Sequence, residues 1–176
     1  MNCGRADCAG FTLIEVMVAL IVISVGVLGI AATQALAFGR THTSRTESLV
    51  ALEAQSLSDA MQANPAYWRA GLFPSTEPFI VNGLSISDSS LNSQTTNCAA
   101  TSCTPIEMAS FDLRRWGNNL QVQAPGATGS INCQAGSPSL CVITVQWTQK
   151  ASTAINSGSS SASAAQAMSY SLVSQF

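Results

Sequence analysis

One carboxylate stands at the head of a long uncharged stretch. Glu15 follows Gly10-Phe11-Thr12-Leu13-Ile14, and Val16 to Gly39 carry no formal charge. A carboxylate in hydrocarbon costs about 2.5–3.5 kcal/mol at mid-bilayer and less near the edge. A chain that keeps one there has a use for it. The plain alternative is an uncleaved signal anchor whose glutamate lies at headgroup level.

Cysteine is the second reactive type. Cys3 and Cys8 lie ahead of the apolar stretch, with no histidine near them, and two thiols fall short of a metal-ligand set. Cys98, Cys103, Cys133 and Cys141 lie beyond it. An even number in an exported domain reads as disulfides, for which three connectivities exist. The local pairing, Cys98 with Cys103 and Cys133 with Cys141, is the expectation. A four-thiolate zinc site is the alternative, but these spacings are not those of a zinc ribbon. His42 is the one histidine, and it reads as a solvated helix residue. Glu107 and Asp112 stand five apart on a short helix and do not face each other well. There is no phosphate-binding glycine loop and no Gly-x-Ser-x-Gly. Catalysis is not expected, and no cofactor or metal is implied.

The 176 residues carry a formal net charge of −2, and 9% are charged. So few charges, with abundant Ser, Ala, Gly and Gln, point to an exported or assembled protein. The seven Lys and Arg are scattered, so nothing resembles the basic stripe of a nucleic-acid binder.

These residues need elements to hold them. Val16 to Gly39 spans about 36 Å as a helix, against about 30 Å of hydrocarbon. A secretory signal with a small-residue cut after a short apolar core fits poorly. The sensible cut lies before the apolar segment, so the helix stays in the product. From Arg40 to Ala63 there is no Pro or Gly, and Val50, Ala54, Leu57 and Met61 form one stripe. Asn64-Pro65 stops the helix. Gly26 and Gly29 read equally as close packing positions and as a segment able to unwind.

Residues 67–101 read as loop-rich, with a short hairpin signal at Asn82-Gly83. Thr104-Pro105-Ile106-Glu107 reads as a capping box opening a helix from Pro105 to Trp116 that ends at Gly117, with Ala109, Leu113 and Trp116 inward. Leu120 to Gln123 reads as a short strand. Val142 to Gln149 alternates, with Ile143, Val145 and Trp147 on one face. Ala167 to Phe176 alternates too, with Met168, Tyr170, Leu172 and Phe176 on one face. Ser152 to Ala165 has no periodicity and reads as a loop.

The string Gly10-Phe11-Thr12-Leu13-Ile14-Glu15 ahead of an apolar helix resembles the cleavage and assembly signature of type IV pilin precursors. Three later blocks are similar to minor pilins of the PilV type: Ala60-Met61-Gln62-Ala63-Asn64-Pro65, Cys103 to Leu113 with Trp116, and Val142-Ile143-Thr144-Val145-Gln146-Trp147. The resemblance implies an α+β fold, a long N-terminal helix packed on a small C-terminal antiparallel sheet. It implies a leader (1–10), an apolar membrane and assembly helix (11–39), its amphipathic continuation (40–64) and a disulfide-containing head (65–176).

By position, the resemblance puts prepilin peptidase cleavage between Gly10 and Phe11, N-methylation on Phe11, and subunit register on Glu15 through a neighbour's methylated amine. The implied role is a minor pilin acting in pilus initiation, assembly or the tip complex. A minor pseudopilin of type II secretion is the alternative. The implied partners are prepilin peptidase, other minor and major pilins through the helix, the inner-membrane assembly platform, and membrane lipid before assembly. The implied location is the bacterial inner membrane, single-pass with a periplasmic head, and then the pilus. Arg5 offset by Asp7 before the helix, against Arg40 and Arg45 after it, does not follow the positive-inside rule. The motif and the cysteines place the head outside.

Overall fold

The computed structural model describes residues 11–74, 77–150 and 165–176. Two compact units divide the chain, Met1–Thr41 and His42–Phe176. Helix α1 (Leu13–Ala63) begins in the first and ends in the second. In the first unit, the described part is this apolar helix, and Leu13–Gln34 is long and apolar enough to cross a membrane.

In the second unit, the stripe expected on α1 faces inward. Val50, Ala54, Leu57 and Met61 are all but fully buried. The helix stops at Ala63 because proline disfavours helix in the residue before it. Pro65 then opens a second short helix, α2 (Pro65–Trp68), at the position where its missing N–H costs nothing. Tyr67 and Trp68 of α2 are buried in the core, although the sequence pattern there suggests loop. The Asn64 side chain donates to the Pro105 carbonyl at 2.8 Å, tying the end of α1 to the start of the next long helix.

Among the described residues, five antiparallel strands form one sheet in the order β2-β1-β3-β4-β5. Strands β1 (Phe79–Asn82) and β2 (Ser85–Ile86) make the short hairpin. Asn82 pairs with Ser85, so the turn residues are Gly83 and Leu84, and Gly83 has φ +58°. A glycine with positive φ at the first turn position suits a two-residue hairpin loop. Asp88 caps the single turn of α3 (Ser89–Asn92) by accepting from the Leu91 N–H at 2.9 Å.

Helix α4 (Pro105–Gln123) corrects the sequence reading twice. It runs through Gly117, and Leu120 to Gln123 is helix rather than strand. Gly117 is a contact glycine: a Cβ there would collide with the Gly83 carbonyl oxygen and with Val81. The absent side chain lets α4 lie directly on the β1–β2 hairpin. With no φ > 0 at Gly117 and no proline after it until Pro125, nothing ends the helix before Ala124.

Strand β3 (Thr128–Gln134) has no counterpart among the sequence expectations. Its inward positions are Gly129, Ile131 and Cys133, and glycine with cysteine blurs the apolar alternation. β4 (Leu140–Lys150) buries Ile143, Val145 and Trp147, as the alternation requires. β5 (Ala165–Gln175) starts earlier than expected: Ala165 and Gln166 belong to the strand, and residues 152–164 of the expected loop lie outside the described residues. Met168, Tyr170, Leu172 and Phe176 pack against the core while partly exposed.

A long apolar N-terminal helix followed by a small five-stranded antiparallel sheet is a pilin-like α+β arrangement. Each large apolar side chain buried in the head contributes about 1.5–3 kcal/mol relative to exposure. The head core gathers α1, α4 and one face of the sheet. The other face of β3 and β4 carries Thr128, Ser130, Thr144, Gln146 and Thr148, which is why β4 alternates so plainly.

Candidate functional site

Glu15 lies in the first turn of α1. The backbone N–H groups of Glu15 and Val16 donate to the Thr12 carbonyl at 3.1 and 3.3 Å, so the helix winds up from Thr12. A carboxylate at this end is favoured by the helix dipole, whose positive end lies there. Gly10, on the other side of the expected cut, lies outside the described residues, as do Cys3 and Cys8. Phe11 immediately precedes the helix and is 83% exposed.

Beyond Glu15 the helix is apolar on every side. The large apolar side chains from Phe11 to Ile30 range from 49% exposed at Val16 to 83% at Phe11. Consecutive residues Leu20, Ile21, Val22 and Ile23 are all exposed, so none of the helix faces is covered. A helix of this kind is covered by lipid or by other helices. Its hydroxyls are already satisfied: Ser24 donates to the Ile21 carbonyl and Thr33 to the Ile30 carbonyl, both at 2.8 Å. Internal satisfaction of polar groups is what hydrocarbon demands. Gly26 and Gly29 have no heavy atom within 4 Å of where a Cβ would sit, which leaves their surface open.

Glu15 is therefore the one formally charged residue from Phe11 to Gly39, on a helix whose large apolar side chains are bare from Phe11 to Ile30. Chemically this segment can do two things. It can insert into a bilayer, and it can pack against similar helices while offering a carboxylate to a cation.

The head holds the other singled-out residues. Cys98 is bonded to Cys103, and Cys133 to Cys141. Cys133 and Cys141 are directly opposed in the β3–β4 ladder, so their bond staples two strands already in register. With all four thiols oxidised, none is free to ligate zinc. Among the described residues, no three His, Cys, Asp or Glu side chains gather as a metal set.

Glu107 and Asp112 have separate environments. Glu107 accepts from the Thr96 hydroxyl at 2.6 Å and from the Thr104 hydroxyl and N–H at 2.7 and 2.8 Å. The Thr96 bond, with the two Thr104 bonds behind it, holds its carboxyl down at about 2. This is the capping box read from the sequence, and it joins the Cys98–Cys103 loop to the start of α4. Burial pushes the Asp112 carboxyl up, while Arg115 pulls the other way. The two acids serve different neighbours and make no acid–base pair.

Sequence reasoning missed the residues that hold the head together by contact rather than pattern. The Arg114 guanidinium donates to the Leu84 and Asn92 carbonyls at 2.6 Å each, bolting the hairpin and α3 to α4. Ser58 and Ser174 share a buried hydrogen bond at 2.7 Å. No sequence signal marks such partners, since Arg and Ser at these positions are ordinary surface types.

Among known proteins, residues 5–31 match the family model of the prokaryotic N-terminal methylation motif. No curated protein and no solved structure matches the chain. The match lies on the segment that carries Gly10, Phe11 and Glu15, and it supports a type IV pilin or pseudopilin. Proteins with this motif are structural subunits, and the motif implies processing by prepilin peptidase and pilin assembly. The apolar helix Leu13–Gln34, the one of its kind among the described residues, is consistent with anchoring in the inner membrane.

Proposed function

We propose that this chain is a minor pilin of the PilV type, a subunit acting in initiation, assembly or the tip complex of a type IV pilus. The observation that carries the reading is the Gly10-to-Glu15 string set at the start of a helix with no covered face. Three blocks in the head support the finer assignment. Ala60 to Pro65 ends α1, Cys103 to Leu113 with Trp116 opens and fills α4, and Val142 to Trp147 forms the centre of β4.

Prepilin peptidase cuts after Gly10 and the new amine of Phe11 is methylated. The helix then leaves the bilayer, and the cost is offset by burying Val16 to Ala37 against other pilin helices. Glu15 pairs with the methylated amine of a neighbouring subunit. A charged pair shielded from water has strong distance dependence, so it sets the axial register of the subunit. The head stays in the periplasm until assembly and then sits on the pilus.

The test is an electron-microscopic count of surface pili in a strain lacking the gene, with a complemented control. Loss restored by complementation is expected. Normal piliation with a defect in protein secretion would move the chain to the pseudopilins of type II secretion. Mass spectrometry of the mature chain checks the processing step: the expected N-terminus is methylated Phe11.

A further inference from the structure

The two edges of the sheet are built very differently. β2 is two residues long, and short edge strands are a common way of preventing unwanted pairing. β5 is eleven residues long and pairs with β4 in unbroken register from Ala165↔Lys150 to Gln175↔Leu140, so it contains no bulge. It also contains no Lys, Arg, Asp, Glu, Pro or Gly. Among the described residues, none of the usual edge protections is present along it.

The register shows which backbone groups point outward. Phe176 donates its N–H to Ser139, the residue directly opposite it, so the Phe176–Ser139 position is a hydrogen-bonded pair. Antiparallel ladders alternate such pairs with non-bonded ones. Ser174, Leu172, Tyr170 and Met168 therefore spend their N–H and C=O groups on β4. Ala167, Ser169, Ser171 and Val173 direct theirs to the open edge, where the described residues supply no strand. On the core side of this edge, Met168, Tyr170 and Leu172 are only partly buried.

We propose that β5 pairs antiparallel with β5 of a second copy of this chain, joining two heads through a continuous sheet. β5 has the chemistry its own edge calls for: Met168, Tyr170 and Leu172 follow one another toward the core side, and uncharged residues, small at Ala167, Ser169 and Ser171, lie on the other. Paired about a two-fold axis at Tyr170, Ser169 stands opposite Ser171 of the second copy and Met168 opposite Leu172. The edge-directed groups then meet edge-directed groups, and apolar meets apolar. No like charges oppose one another, because the strand has none. The two-residue β2 at the far edge keeps the pairing from running on, so the contact closes as a dimer.

The experiment uses the full chain in detergent micelles. Its mass is followed by light scattering as protein concentration rises, and hydrogen exchange is read at Ala167, Ser169, Ser171 and Val173. The expected result is a doubling of mass, with exchange at those four amides slowing over the same concentration range. Ser169→Pro removes an outward N–H without touching the β4 ladder, and Ser169→Lys puts a charge beside the edge. Both variants should lose the doubling and the protection while keeping the wild-type circular dichroism. Ser169→Lys covers the case in which the proline variant does not fold. A chain that stays monomeric throughout overturns the proposal. So does a dimer that survives both variants but disappears on Gly26→Ile, which would assign the association to the apolar helix.

Discussion

The Trp116 indole N–H donates to the Glu53 carbonyl at 2.9 Å, across 63 residues of sequence. The ring of Trp116 lies against Gly129, where a Cβ would collide with it. One side chain thus fixes α4 to α1 by a hydrogen bond and to β3 by contact. Gly129→Ala should force the indole away and cost about 1–3 kcal/mol by overpacking. Trp116→Ala should cost more, about 3–5 kcal/mol, by leaving a cavity. Denaturant unfolding of the two variants orders these effects; equal stability of Gly129→Ala and wild type would show that the indole is not pinned.

Ser58 and Ser174 are each nearly fully buried and bond only across the α1–β5 contact. Removing one hydroxyl leaves the other without its partner in a dry site, at a cost of about 1–3 kcal/mol. Ser58→Ala and Ser174→Ala should each destabilise by such an amount. The double variant should be less destabilised than the sum of the two, since no orphan remains. Simple additivity in a double-mutant cycle would mean that the two hydroxyls are not coupled.

Glu107 gives the head a pH dependence of defined sign. Its carboxyl is held at about 2, below the ordinary 4.5, by the Thr96 and Thr104 hydrogen bonds. A depressed folded-state value means that the ionised form stabilises the fold above the ordinary value. That contribution fades as pH falls from about 4.5 toward about 2. Glu107→Gln keeps an acceptor but has no charge to lose. The melting temperature of the wild type should exceed that of the variant at neutral pH, and the gap should close on acidification through this window. A gap that widens toward low pH would reverse the assignment.

Both disulfides close short loops, with sequence separations of 5 and 8. Chain-entropy arguments give a loop of this size about 2–3 kcal/mol. Cys133→Ser with Cys141→Ser should lower stability by roughly that amount without loss of the sheet, because the β3–β4 ladder extends to both sides of the bond. The measurement is urea unfolding compared with the wild type, oxidised and reduced. Complete loss of β-sheet signal in the double variant would show that the bond, not the ladder, organises the strands.

The parts of this fold legible in the sequence are those in which one periodicity runs uninterrupted. The α1 stripe at Val50, Ala54, Leu57 and Met61, the alternation of β4 and the Thr104 cap are local patterns, and each stands in the structure as read. The illegible parts depend on contacts between distant segments. Gly117 reads as a helix stop until the hairpin carbonyl of Gly83 is seen against it. β3 is hidden because Gly129 makes room for Trp116 in place of an apolar side chain. At the N-terminus the reverse holds. The Gly10-to-Glu15 string is fully visible in sequence, while the helix behind it shows no covered face from which partners could be read.

Glu15 carries the sharpest functional prediction. The apolar surface that drives insertion lies in Val16 to Gly39 and does not include the carboxylate. Replacing Glu15 by Ala removes a group that is costly in hydrocarbon, so insertion should be unimpaired or easier. The proposed cleavage between Gly10 and Phe11 does not involve the carboxylate and should also persist. The variant loses the partner for the amine of a neighbouring subunit and, with it, the register of the helix in the assembly. Immunoblots of membrane and sheared-pilus fractions should therefore show Glu15→Ala retained in the membrane and missing from pili. Glu15→Asp keeps the charge on a shorter stem and should recover part of the incorporation. Equal amounts of Glu15→Ala and wild type in sheared pili would sink the pairing role, because packing of the apolar surface alone would then be enough to hold the subunit.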